Sequence, residues 1–134
     1  MGPKSAHCAA LTDALEVLPA RAGKRPRPRG VSVKVFDNLS EFVAAAGSQL
    51  GPTEWLEITQ DRVNLFAEAT DDHQWIHVDP ERAAGGPFGG TIAHGLLTLS
   101  LLPHFMHQLY RVDNVALAVN YGYNKVRFIT PVKV

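Results

Sequence analysis

The sequence contains a single cysteine, Cys8, so no internal disulfide is available, and a reducing, cytoplasmic setting is the expectation. It carries no excess charge of either sign. Thirteen basic residues meet thirteen acidic ones, which removes the long-range field that would gather nucleic acid or an anionic membrane surface. It also has no apolar run near the roughly 20 residues a spanning helix needs. The longest, Leu96 to Leu102, is interrupted by Pro103. The glycine-rich stretch from Gly85 to Gly90 is not followed by the Lys and Ser/Thr of a phosphate-binding loop. His73 and His77, four apart, have no clear third partner to complete a zinc site. No metal, no cofactor, no nucleic acid and no membrane partner is therefore expected, and recognition must rest on a local site.

What is present is enough for one domain. The 134 residues divide at about residue 30. Residues 1–30 combine a short amphipathic stretch, Ala9 to Leu18, with a basic, proline-rich run from Arg21 to Gly30 that has no apolar period. A nucleic-acid arm or a transit peptide would fit such a segment. A disordered or non-native extension fits better, because neither part is long or repeated. The fold is expected in residues 31–134.

Within that span, Asn38 with Glu41 three residues on has the form of a capping box, and a short helix through Phe42, Val43 and Ala46 should stop at Gly47. Thr59 starts the next helix, with Ile58 and Val63 spaced as a hydrophobic staple. That helix runs into Ala69 to His77, which has neither helical nor strand period and reads as a shaped loop. Asp79-Pro80-Glu81 opens a helical turn that closes by Gly85. From His94 to Leu109 apolar residues lie all round, the pattern of a buried helix. Val115, Leu117, Val119 and Tyr121, then Val126 and Phe128, alternate as two strands. A buried helix needs more sheet than these supply, so the sequence looks short for its own core.

The chemistry-bearing residues are few. Asp72 and His77 flank Trp75 and Ile76, so an irregular loop could aim both into one apolar cleft, sealed by the Trp and Ile. A carboxylate and an imidazole can hold one water and divide the roles of base and acid. The same pair also fits a turn cap and a surface imidazole. At His94-Gly95 a helix begins, and its first amides lack internal partners and carry the positive end of the dipole. A developing oxyanion would be stabilised there, and a residue without a side chain lets a carbonyl approach closely. Close helix packing is the alternative reason for Gly95.

The run Phe66-Ala-Glu-Ala-Thr-Asp-Asp-His-Gln-Trp-Ile-His-Val-Asp-Pro-Glu-Arg-Ala83 resembles the hydratase motif of the MaoC-like family, which includes (R)-specific enoyl-CoA hydratases. Pro87-Phe-Gly-Gly-Thr-Ile-Ala-His-Gly-Leu-Leu-Thr98 and Asn120-Tyr-Gly-Tyr-Asn-Lys-Val-Arg-Phe128 resemble the same family's nodulation-protein-N-like branch, in order and spacing, over about residues 36 to 134. The resemblance implies an α+β hotdog fold, a curved antiparallel sheet wrapped around one long helix, and a homodimer. It implies that Asp72 and His77 hold the water that adds to a trans-2-enoyl thioester of CoA or of an acyl carrier, with the Gly95 amide on the thioester carbonyl. Trp75, Ile76, Pro87, Phe88, Gly89, Gly90 and His94 would surround the substrate, with Asn120 and Asn124 orienting the pocket. For the two asparagines, turn or edge roles fit equally.

Two departures from the family pattern matter. The family usually has Gly before the catalytic Asp, where this sequence has Asp71; a β-carbon there restricts the backbone, and a second carboxylate disfavours ionisation of one of the two. The family fold also continues with further strands beyond the position of Pro131-Val132, so the expected domain lacks its C-terminal strands and leaves an unpaired edge. A hotdog acyl-CoA thioesterase, or a catalytically impaired partner subunit of a hydratase, are the rival readings.

Overall fold

Local capping accounts for where the helices begin. The computed structural model describes residues 32–134, so Cys8 and the extension expected over residues 1–30 lie outside the described residues. After strand β1 (Lys34–Phe36), helix α1 (Leu39–Ala44) starts where the Asn38 side chain accepts the Glu41 amide at 3.0 Å. The Glu41 carboxylate returns to the Asp37 amide at 3.1 Å, one residue earlier than a capping box would place it. Helix α2 (Gln60–Thr70) is capped by the Thr59 hydroxyl, which accepts from the Arg62 amide at 3.3 Å. Helix α4 (Pro80–Ala84) has proline in its first turn and Asp79 as its cap, which accepts from the Arg82 amide at 3.0 Å.

The described residues form two compact units. The first comprises residues 32–52 and 108–127. In it β1 pairs in parallel with β2 (Tyr110–Val112), Phe36 facing Val112, and the Phe36, Phe42 and Tyr110 rings pack at 4.9 to 6.3 Å. The second unit, residues 53–107 and 128–134, holds α2, α3 (Trp75–Val78), α4, α5 (Gly95–Ser100) and most of α6 (Leu102–Leu109). Its core is Val63, Ala93 and Leu97, with Ile58 and Phe66 packed against them. Ile58 and Val63, spaced as a staple, thus belong to the same packed cluster. The last residues lie antiparallel to 91–93: the Ala93 amide donates to the Val132 carbonyl at 2.8 Å and Val134 donates to Thr91 at 3.1 Å.

The mixed α and β content agrees with the sequence reading, but three expectations need correction. The helix expected over His94 to Leu109 is two helices with a turn at Leu101. Pro103 has no amide to give to Leu99, which breaks the ladder at this point, and the Ser100 hydroxyl donates to the Leu96 carbonyl at 2.7 Å, a bond that favours a bend. Nor is that stretch buried all round: Leu96 is 60% exposed and α6 has no buried residue. The strands expected around Val115 to Tyr121 and Val126 to Phe128 are absent among the described residues, and the curved antiparallel sheet with them, since a strand needs a partner to take its backbone bonds. Finally, Ala69 to His77 is not one loop, because α2 extends to Thr70 and Trp75–Val78 forms a helical turn. Among the described residues no helix is long and apolar enough to cross a membrane.

Candidate active site

The link between α2 and α3 sets the position of both candidate side chains, Asp72 and His77. Asp71 ends α2 in the left-handed conformation, φ 58° and ψ 19°, the region that glycine enters freely and that a β-carbon resists. This is the position at which the motif it resembles usually has Gly. Asp tolerates it better than most residues because its short polar side chain bonds locally. The chain then turns through Asp72 to Gln74, and α3 brings His77 inward until it is 7% exposed.

His77 is held at both its backbone and its ring. Its carbonyl accepts Gln60 Nε2–H at 2.7 Å, and the Gln60 Oε1 accepts the hydroxyl of buried Thr91 at 2.7 Å. Its Nδ1 lies 2.6 Å from the Ile92 carbonyl, while the Ile92 amide donates to the Ile76 carbonyl at 3.0 Å. A carbonyl can only accept, so Nδ1 carries the proton of that bond. In the neutral ring, Nε2 is then left with the lone pair.

Three donor groups converge here. Asp72, His77 and His94 each offer an atom within 4.8 Å of the others'. Two hydrogen bonds of about 2.8 Å meeting at a tetrahedral oxygen span about 4.6 Å, so one water can bridge groups at this separation. A metal fits the set less well. Imidazole lone pairs lie in the ring plane, and the His77 and His94 rings are stacked at 3.9 Å with 28° between their planes. Their lone pairs run side by side instead of meeting at the roughly 2.1 Å that zinc requires. His73 is turned away toward Glu68, at 3.8 Å on the surface, so it does not pair with His77.

His77 and Gly95 line the same cavity of about 290 Å³. Phe88, Ile92, Thr98, Phe128 and the 129–132 segment supply most of the rest, so the walls are largely apolar. Gly95 opens α5, where its amide has no partner within the helix. The Phe128 ring lies directly against it: a β-carbon at position 95 would fall 2.5 Å from the ring.

The other residues singled out in the sequence divide. Phe88 lines the cavity; Trp75 instead has the Arg82 guanidinium over its ring at 4.6 Å and Gly86 so close that a β-carbon there would sit 3.0 Å from it. Ile76 contributes its carbonyl to the Ile92 amide, and Pro87, Gly89 and Gly90 belong to the turn beside Phe88. His94 is 2% exposed and does not line the cavity. Asn120, which donates to the Tyr123 hydroxyl at 2.6 Å, and Asn124 are exposed residues of the first unit. Sequence reasoning missed Gln60, Thr91 and Phe128 as site-shaping residues. Thr91 and Phe128 stood inside the motifs that carry the resemblance, and Gln60 in none.

Comparison with known proteins places the chain in a family. The family described as "MaoC like domain" matches residues 41–134. The chain is similar to 3-hydroxyacyl-thioester dehydratase Z of Mycobacterium tuberculosis (strain CDC 1551 / Oshkosh), 61% identical over 102 residues, which cover 76% of this chain and 68% of that protein. It is similar to nodulation protein N of Rhizobium meliloti, 48% identical over 105 residues, covering 72% of this chain and 61% of that one. Among solved structures, the monoamine oxidase regulatory protein from Archaeoglobus fulgius aligns with a TM-score of 0.54 at 25% identity, covering 75% of this chain and 65% of the other. The motifs around Asp72, His77 and Gly95 therefore sit inside a match that spans most of the described residues, and the chain belongs to the MaoC-like family.

Proposed function

We propose that this protein is a dehydratase of acyl thioesters that reversibly hydrates trans-2-enoyl thioesters, on CoA or an acyl carrier, to (R)-3-hydroxyacyl thioesters. The observation that carries the reading is the cavity into which both His77 and Gly95 face, with the Asp72 carboxylate close enough to share a water with the imidazole. The similarity to a 3-hydroxyacyl-thioester dehydratase supports the same class of substrate. In the hydration direction the Gly95 amide donates to the thioester carbonyl, which draws electron density from the β-carbon and stabilises the enolate as it forms. Water between Asp72 and His77 gives up a proton as its oxygen bonds to the β-carbon, and a proton is returned to the α-carbon. Dehydration runs the same steps backward. His77 can act through Nε2 because Ile92 occupies Nδ1. The apolar walls suit an acyl chain, and the exposed Leu65, Leu96 and Ile129 support pairing with a second copy.

The test is the ultraviolet band of the conjugated enoyl thioester in crotonyl-CoA, followed with purified full chain beside a thiol assay and chiral analysis of the product. Loss of the band without free thiol, giving the (R)-3-hydroxy product, is expected. Thiol release would make the protein a thioesterase, and an unchanged band with a folded chain would refute hydration of this substrate.

A further inference from the structure

The structure assigns His94 a role that goes beyond the hydratase reading while resting on it: we propose that His94 is a positioning residue that fixes Asp72 against His77. Its side chain is 2% exposed, so it is not a substrate contact. Its Nε2 lies 2.9 Å from the backbone carbonyl of Asp72, and since a carbonyl only accepts, Nε2–H donates there. Its ring stacks on His77 at 3.9 Å, and the Phe66 ring stands 5.0 Å away on α2. Its backbone is the cap of α5 and leads directly into the Gly95 amide. One residue is thereby joined to all three parts of the proposed site: the acid's backbone, the imidazole and the carbonyl donor.

The remaining nitrogen shows that packing alone does not account for a histidine here. His94 Nδ1 is buried and has no hydrogen-bond partner among the described residues. A buried polar atom left unpaired destabilises the fold, and an aromatic hydrocarbon of similar size would fill the space without that loss. What such a residue could not do is hold the Asp72 carbonyl. That bond spans 22 residues of sequence and anchors the short link that follows the left-handed turn at Asp71. With it, the Asp72 side chain starts from a fixed backbone; without it, the link can drift while His77 stays held by Ile92 and Gln60.

The experiment compares crotonyl-CoA hydration by the full chain carrying His94→Phe, which keeps a ring against His77 but loses the donor, and His94→Gln, whose amide N–H can reach the same carbonyl. Misplacement on the order of 1 Å costs up to about 100-fold in rate, so H94F should lower kcat about 10- to 100-fold with KM changed less than about threefold. H94Q should recover most of that loss. A raised KM at unchanged kcat in H94F, or an equal kcat loss in both variants, would overturn the proposal. Should H94F fail to fold, long-range proton–nitrogen spectra of the unmodified chain decide the matter. His94 is expected as the Nε2–H tautomer with that proton protected from exchange; an Nδ1–H tautomer or a freely exchanging ring would overturn it. These spectra need no turnover, so an unmodified chain inactive on crotonyl-CoA would count against the hydratase reading alone.

Discussion

Replacing Gln60 by leucine should weaken both the fold and the site, because this one side chain joins α2 to the backbone of α3 and to the segment before α5. Its amide donates to the His77 carbonyl at 2.7 Å and to Asn64 Oδ1 at 2.8 Å, and its oxygen accepts from Thr91 at 2.7 Å. Asn64 is exposed and exchanges its bond for water at little cost. The Thr91 hydroxyl, on a residue 8% exposed, and the His77 carbonyl do not have that freedom. Leaving a buried polar group unpaired costs about 1 to 3 kcal/mol each; partial access of water around half-buried Gln60 brings the expected loss for Gln60→Leu to about 2 kcal/mol. Thr91→Val in the same background removes the orphaned hydroxyl. The double variant should therefore be more stable than the two single losses added together, by about 1 kcal/mol. Urea unfolding of the four proteins measures this coupling. Additivity within about 0.3 kcal/mol would refute the claim that Gln60 and Thr91 form one strut behind His77.

Gly95→Ala should cost about 1 to 3 kcal/mol of stability by overpacking against Phe128, and adding Phe128→Ala should restore part of the stability but not the enoyl hydration rate. Recovery of both would mean that Gly95 serves packing only. At Asp71 the left-handed backbone makes Asp71→Val destabilising by about 1 to 3 kcal/mol in chemical denaturation. Asp71→Gly should be neutral or up to about 1 kcal/mol stabilising, relief of the backbone being offset by the extra freedom of the unfolded chain. Asp79→Ala removes the cap of α4 and should cost about 1 kcal/mol, read from the same unfolding curves.

The parts of the fold that were legible in the sequence are those fixed within a few residues. Asn38, Thr59 and Asp79 each accept the amide three residues ahead, so spacing alone locates those helix starts. The break at Leu101 was also legible in principle, since Pro103 can offer no amide to the helix before it. The strands read around Leu117 and Val126 had the right alternation, but alternation specifies a face and says nothing of a partner. Leu117 and Val119 stand 77% and 73% exposed. For the candidate site, the motif pointed to Asp72, His77 and Gly95, and the structure puts His77 and Gly95 on one cavity. It could not show that His94 lies behind His77 or that Gln60 braces it, because those contacts join residues 17 to 31 apart whose types are common on any helix or loop.

The most direct test of the central claim is the rate of crotonyl-CoA hydration by Asp72→Asn, His77→Gln and the double variant, each shown to be folded by circular dichroism. If the two side chains share one water, each single change should lower kcat by about 100- to 10,000-fold, and the double variant should be little worse than the poorer single. Either single variant retaining activity within about tenfold of the unmodified chain would contradict the account.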